Sequence, residues 1–293
     1  MGCADSQIQG ENTGLRNHES LNDSNLSASQ SFIQVEKDLG LNQHKSDDLD
    51  KYFHRYSYAE EISQENLFKV GKIIGFDAQS KKEFFDQFMV NTLAVRKVEM
   101  LNSRRICTLS IILGSGSDND KIKLLFQNYD LDSNKYLDKQ EVIMLIEDIL
   151  WIFLYAVPNY TLLVNGKNTL IGNEVQKLNS AQSFAKNDIV AHILDSESRI
   201  TMESYARKFT KKEVKMLFNP ERLRNRALEI YEKFLQHEKE LEMQKQLKEK
   251  EEMQMLKKIK NSDDEGNEHK NKKKRGPRKY ARKSVNKAHN NND

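Results

Sequence analysis

The twelve residues DLDSNKYLDKQE, at positions 130–141, alternate side chains that can supply oxygen ligands with side chains that cannot. A calcium ion takes about six to eight oxygen ligands, and a twelve-residue loop supplies them from positions 1, 3, 5, 7, 9 and 12. Those positions hold Asp130, Asp132, Asn134, Tyr136 (through its backbone carbonyl), Asp138 and Glu141. A glutamate at position 12 can bind through both carboxylate oxygens, and position 9 often acts through a water. The spacing therefore predicts a calcium-binding loop.

Apolar residues on both sides of this loop follow helical spacing. The residues before it are Ile122, Leu125, Phe126 and Tyr129, and those after it are Val142, Leu145, Ile146 and Ile149. Ser117 or Asp118 can cap the first helix, and Asp138 with Glu141 forms a capping pair for the second. The flanks predict a helix–loop–helix unit. The alternative is a solvated acidic loop between two ordinary helices.

Position 6 of the loop departs from the pattern. This position usually holds glycine because the sharp turn requires a positive φ, and here it holds Lys135. A residue other than glycine costs on the order of 1 kcal/mol of backbone strain there. We expect this strain to weaken calcium binding without abolishing it.

Composition limits the classes of protein to consider. The chain has 293 residues, of which 31% are charged and 37% hydrophobic, so one globular domain with long polar extensions fits better than two domains. Its longest apolar run, residues 149–157, falls far short of the ~20 residues that span a bilayer. The only cysteines are Cys3 and Cys107, and there is no secretory signal, so we expect no disulfide framework and an intracellular location.

The first six residues, MGCADS, match the pattern for N-terminal myristoylation at Gly2, and Cys3 is placed to accept a palmitate. Two acyl chains can hold a protein on a membrane, whereas one binds only marginally. The remainder of residues 1–48 is polar and lacks a sustained period, which predicts a disordered segment with a short helix allowed near residues 32–41. An unmodified start remains the alternative.

Three further loops have an apolar eighth residue equivalent to Leu137. These residues are Ile62, Met100 and Ile200, in loops 55–66, 93–104 and 193–204. The first two loops lack carboxylates at positions 1, 3 and 5, and Arg104 replaces the acid at position 12 of the second. The fourth contains Asp195 and Glu197 but ends in Ser204, so we expect a distorted, metal-free loop that still pairs with the third.

Two stretches between the third and fourth units remain ambiguous. The apolar run at 149–157, which holds the single tryptophan, Trp151, either lines a groove for a partner or belongs to the core. Residues 158–179 form a polar connection that is longer than loop statistics favour. We expect either an insertion or a short extra element there.

Residues 104–142 resemble the junction between the second and third hands of the neuronal calcium sensor and calcineurin B-like branch of EF-hand proteins. The shared features are a Leu-Ser dipeptide, a short link containing glycine, and the run KIKLLFQNYDLD. Residues 62–88 are similar to the link between the first two hands of that branch. The resemblance implies an all-α fold with four EF-hand-like units in two pairs, at 49–110 and 111–212, of which three are degenerate. It also implies a calcium sensor that docks a target helix in an apolar groove.

The chain continues well beyond the hands. Residues 213–260 are rich in Glu, Lys and Gln and predict a charged helix that is either solvent-exposed or a coiled-coil partner site. Residues 261–293 predict a disordered tail whose segment 270–283, KNKKKRGPRKYARK, is polybasic. Such a tail can bind an anionic membrane, bind nucleic acid without sequence preference, or address the protein to the nucleus.

Three functions remain open. The first is a membrane-anchored calcium sensor for a protein target at the cytoplasmic face, with a cytoplasmic pool. The second is a constitutive adaptor whose site holds calcium or magnesium permanently, and the third is a nucleic-acid binder that acts through its tail. We expect no enzyme, because the seven histidines show no ligand spacing in the sequence and no motif surrounds Cys107.

Overall fold

The computed structural model describes residues 26–90, 99–166 and 168–272, with the backbone alone for 258–272. These residues are mostly helical and fall into two units, Met1–Glu232 and Lys233–Asp293. The predicted acylation sites Gly2 and Cys3 lie outside the described residues, as does most of the polybasic segment. The all-α class predicted from the sequence is therefore confirmed for the described part of the chain.

The first half of the larger unit contains five helices and two short strands among its described residues. They are α1 (Ala28–Asp38), α2 (Ser46–Tyr56), β1 (Glu61–Ser63), α3 (Gln64–Ile74), α4 (Lys82–Phe85), β2 (Met100–Asn102) and α5 (Ser103–Leu113). Single 3₁₀ turns at Leu41–Gln43 and Asp86–Phe88 follow α1 and α4.

The second half begins with the helices that flank the predicted calcium loop. Its elements are α6 (Asp118–Tyr129), β3 (Tyr136–Asp138), α7 (Lys139–Leu150), a π-helix (Trp151–Ala156), α8 (Val157–Val164), α9 (Thr169–Leu194), β4 (Arg199–Thr201), α10 (Met202–Phe209), α11 (Lys212–Lys215), a 3₁₀ turn (Met216–Phe218) and α12 (Pro220–Lys272). The predicted stripes on α6 and α7 are buried, and Ser117 and the Asp138–Glu141 capping box begin these helices as expected.

The short strands join the helix–loop–helix units in pairs. In the antiparallel pair β3–β4, Leu137 lies opposite Ile200, as the sequence predicted. In β1–β2, however, Ile62 lies opposite Leu101, and the predicted partner Met100 is one residue out of register. Alternate residues of a strand face opposite sides, so the buried residue Leu101 has to face the core. This shift places Arg105, rather than Arg104, at the twelfth position of the second loop.

Helix α1 overlaps the short helix allowed near residues 32–41, and together with the start of α2 it corrects the prediction of disorder for residues 28–48. Its apolar side chains Phe32 and Val35 are buried, and it packs against α8 and α9. The Glu36 carboxylate accepts a 2.6 Å hydrogen bond from the guanidinium of Arg224, at the start of α12. Burial raises the pKa of Glu36, and Arg224 opposes that rise. The partners that order α1 come from distant parts of the chain, which a local reading of its polar composition does not reveal.

Residues 158–179, predicted as a polar connection, are mostly helical. Helix α7 continues through the π-helix into α8, and Asn165 with Gly166, whose φ is 63°, forms the turn before α9. The inner face of α9 includes the small residues Ala181 and Ala185 beside larger apolar ones. Because alanine carries little hydrophobic signal, this stripe did not stand out from the polar residues around it.

The charged extension also differs from its predicted bounds. Residues 213–218 belong to α11 and the following 3₁₀ turn, where Val214 and Leu217 are buried, so they complete the core. In α12, Leu223 and Ala227 are buried too, whereas Leu241 and Leu247 of the second unit are exposed. The helix runs to Lys272, so residues 261–272 are helical rather than disordered.

Candidate metal centre

Three carboxylates converge in the loop between α6 and α7. Ligand oxygens of Asp130, Asp132 and Glu141 all lie within 4.8 Å of one another. Calcium–oxygen distances are about 2.3–2.6 Å, so one cation can reach all three carboxylates. The donors are hard oxygens, which suit calcium or magnesium better than a soft metal.

Backbone amides hold these carboxylates in place. Asp130 accepts hydrogen bonds from the amides of Asn134 and Lys135, both at 3.0 Å. Glu141 spans the loop: its Oε1 accepts from the amide of Leu131 and its Oε2 from that of Asp138, each at 2.9 Å. Glu141 is also buried, so its carboxylate can move only together with the loop and the first turn of α7.

The other predicted ligands occupy less central positions. The Asn134 side chain donates to Asp132 at 2.7 Å and accepts from the amide of Tyr136 at 2.8 Å, which closes the turn. Asp138 Oδ1 accepts from the amides of Gln140 and Glu141, at 2.7 and 2.9 Å, and so caps α7. That geometry agrees with an indirect role for Asp138, through a water.

Lys135 adopts the conformation for which this position usually carries glycine. Its φ is 69°, and Ser133 two residues earlier also has a positive φ, of 56°. A side chain in the left-handed region costs on the order of 1 kcal/mol. The loop therefore keeps the turn that glycine usually makes, and the backbone of Lys135 is strained as a result.

Replacing this lysine should relieve the strain. We expect Lys135→Gly to raise the free energy of unfolding in saturating calcium by about 1 kcal/mol, as measured by urea denaturation. The matched control is Lys123→Gly on the exposed face of α6, which should lower that free energy by a similar amount because glycine disfavours helix. A loss of stability in Lys135→Gly would show that the strain argument is wrong.

The fourth loop differs from the third in length and in charge. Only residues 195–198 separate α9 from β4, whereas residues 130–135 separate α6 from β3. Glu197, one of its two acidic residues, binds the ammonium group of Lys208 at 2.7 Å, and that group also donates to the carbonyl of Leu194 at 3.3 Å. Lys208 lies on α10 and is buried, so a cation from the following helix already pairs with Glu197. These features favour the prediction of a metal-free loop.

The first loop is equally short. Residues 57–60 separate α2 from β1, and Ala59 and Glu60 both have positive φ. Residues 93–98 of the second loop lie outside the described residues. The two arginines at its end, Arg104 and Arg105, donate hydrogen bonds to Asp148 of α7.

Those arginines belong to a buried polar cluster that sequence reasoning missed. Asp148 of α7 accepts hydrogen bonds from Arg104 Nε at 3.0 Å, Arg105 Nε at 2.7 Å and the hydroxyl of Tyr129 at 2.9 Å. That hydroxyl also contacts Thr108 Oγ1 at 2.9 Å. Burial and the neighbouring Asp148 carboxylate raise the pKa of Tyr129 well above its usual value. The cluster joins the end of α6 and the last turn of α7 to α5. The sequence contained one sign of this cluster: an arginine occupies the last position of the second loop, where a calcium loop usually has an acid.

Trp151 adjoins this cluster. The guanidinium of Arg105 lies 4.3 Å from the centre of its ring, and Phe88 packs edge-on at 5.1 Å. The neighbouring Ile152, Phe153 and Leu154 are fully buried. In this conformation Ile152 to Leu154 belong to the core, whereas Trp151 is half-buried and Tyr155 is exposed. Trp151 emission should report movement between α5 and α7.

The chain was compared with protein-family models, with curated proteins and with solved structures, and none of these comparisons found a match. The described residues contain no helix of the length and apolarity needed to span a membrane.

Proposed function

We propose that this is a non-enzymatic, calcium-binding regulatory protein of the EF-hand type, anchored to an intracellular membrane through Gly2 and Cys3. Calcium at residues 130–141 changes its affinity for a protein target. The convergence of Asp130, Asp132 and Glu141 supports this proposal most directly. Their negative charge and hard oxygens match calcium, and Asn134, Tyr136 and Asp138 complete the donor set.

Residues of the chain connect the loop to the body of the protein. Glu141 lies in the first turn of α7, while Asp130 follows the last residue of α6, Tyr129. A bound calcium ion would neutralise the facing carboxylates and fix the distance between them. Any change in the angle between α6 and α7 must be accommodated at Asp148, which holds both helices to Arg104 and Arg105. The buried apolar run after α7 is the surface that such a change would expose to a target helix.

A constitutive adaptor is the second candidate. It is favoured by the backbone hydrogen bonds that already order Asp130 and Glu141. A loop that is preorganised changes little when its ion binds, so a permanently occupied calcium or magnesium site would then only stabilise the pair of units.

Calcium titration of the full chain separates these functions. If the protein is a sensor, calcium will shift the emission of Trp151, its only tryptophan, and increase the binding of an apolar fluorescent dye. Neither signal should change in Glu141→Gln. Calcium binding with silent tryptophan and dye signals would instead establish the adaptor. If calcium does not bind, both candidates fail.

A further inference from the structure

A second group of metal-ligating side chains lies away from the calcium loop. Asp50 and His54, one turn apart on α2, face Cys107 of α5, and one ligand atom from each lies within 4.8 Å of the other two. In the sequence, the histidines show no ligand spacing and no motif surrounds Cys107. The fold, rather than the sequence, brings these three residues together, across 53 positions of the chain between His54 and Cys107.

The chemistry of this group differs from that of the calcium loop. Thiolate, imidazole and carboxylate form a mixed donor set that suits zinc and related transition metals, whereas calcium prefers oxygen ligands alone. In a tetrahedral zinc site the ligand atoms lie about 3.3–3.8 Å apart, given metal–ligand distances of ~2.0–2.3 Å. His54 Nε2 is already 3.4 Å from Asp50 Oδ1. The two distances to Cys107 Sγ are at most 4.8 Å, so shifts of about 1 Å in the side chains would bring all three ligand atoms to tetrahedral spacing.

Asn128 completes the surroundings of the group. Its Oδ1 lies 2.6 Å from His54 Nε2, and its Nδ2 donates to Asp50 Oδ1 at 2.7 Å. The amide thus fixes the orientation of both side chains, and its oxygen lies beside the nitrogen of His54 that would bind the metal. Its oxygen, or a water, is available as a fourth ligand.

The group formed by Asp50, His54 and Cys107 is buried on one side and open to solvent on the other. Cys107 is fully buried and Asp50 nearly so, whereas half of the His54 side chain is exposed. A metal ion can therefore enter past His54. In the metal-free protein, burial and the nearby Asp50 carboxylate keep the pKa of the Cys107 thiol well above its usual value. Metal binding would therefore release the thiol proton to solvent as the sulfur–metal bond forms. The proton on His54 Nε2, which faces the oxygens of Asp50 and Asn128, would leave as well, so that His54 binds through a free nitrogen lone pair.

We propose that Asp50, His54 and Cys107 form a second metal site, for zinc or a related transition metal, that joins α2 to α5. Asn128, which orients the ligands, lies on α6 two residues before Asp130. The site therefore adjoins the helix that enters the calcium loop. Metal binding at this site does not require calcium, so the proposal can be tested separately from the proposed function.

Cobalt serves as the probe because its complexes with thiolate absorb in the near ultraviolet. The full chain, reduced with a phosphine and saturated with calcium, should bind one cobalt ion with a thiolate charge-transfer band and tetrahedral visible absorption. Zinc should displace that ion. Cys107→Ser should abolish the band, and His54→Gln should weaken cobalt binding at least ~10-fold, because it removes a ligand rather than an outer-shell partner.

Two controls test the assignment. Cys3→Ser should leave the band unchanged, as should His192→Gln, which alters a comparable i,i+4 histidine–aspartate pair, with Asp188, on α9. Because Cys107→Ser could disturb the core, the exposed His54→Gln variant provides a second, independent test. The proposal is overturned if no thiolate band appears, if Cys3→Ser removes it, or if His54→Gln binds cobalt as the wild type does.

Discussion

Replacing Asp148 with alanine should lower the free energy of unfolding by about 3–5 kcal/mol. The substitution leaves the partly buried guanidinium of Arg105 without its carboxylate and leaves Arg104 paired only with the exposed Glu60. Asp148 is 2% exposed and accepts hydrogen bonds from Arg104, Arg105 and Tyr129. A loss of this size is a large fraction of the ~5–15 kcal/mol that stabilises a typical protein. Urea denaturation of the calcium-free chain, followed by circular dichroism, measures it.

The neighbouring residue provides a matched control. Glu147 is on the same helix and forms a 2.9 Å ion pair with Lys186, but its side chain is 47% exposed. Exposed ion pairs contribute about 0–1 kcal/mol, so Glu147→Ala should have little effect. If Asp148→Ala does not fold, Asp148→Asn, which preserves the shape and part of the hydrogen bonding, should give an intermediate loss. Equal stability of Asp148→Asn and the wild type would show that the charge cluster does not hold α5 to α7.

The second large effect is expected at Glu141. Glu141→Gln should weaken calcium binding at least ~100-fold, because it removes a bidentate ligand, and loss of even an outer-shell partner costs about 10–100-fold. The substitution keeps the side-chain volume, and its amide oxygen can still accept from the amide of Leu131 or Asp138. Calorimetric titration measures the affinity, and circular dichroism verifies that the variant is folded.

Glu197→Gln provides the comparison in the paired loop. Glu197 binds Lys208, and hydrogen bonds to that lysine lower the pKa of its carboxylate. Replacing Glu197 with glutamine should therefore leave the calcium affinity unchanged. If Glu197→Gln reduced calcium binding as strongly as Glu141→Gln does, calcium would be binding in the fourth loop, and the assignment to residues 130–141 would be wrong.

The sequence predicted the third unit in detail because local rules determine it. The spacing of Ile122 and its neighbours placed α6, the capping pair placed the start of α7, and the expected positive φ at Lys135 is present. The strand register at Met100 was off by one, because two adjacent apolar residues, Met100 and Leu101, both fit a buried position and only the core distinguishes them.

Features that depend on distant partners were not predictable in this way. Helix α1 is ordered by contacts with α8 and α9 and by Arg224, more than 180 residues away. The Asp148 cluster unites residues from three helices, and the group formed by Asp50, His54 and Cys107 unites residues from two. Apart from Arg104, which stands where an acid is usual, these residues carry no signal in the local sequence, and their roles arise only when the helices pack.

The measurement that tests the central claim most directly is a calorimetric titration of the full chain with calcium in millimolar magnesium. A single loop with three converging carboxylates predicts one calcium ion per chain, with a dissociation constant of about 10⁻⁷–10⁻⁵ M if the protein is a sensor. The absence of saturable calcium binding would contradict the account.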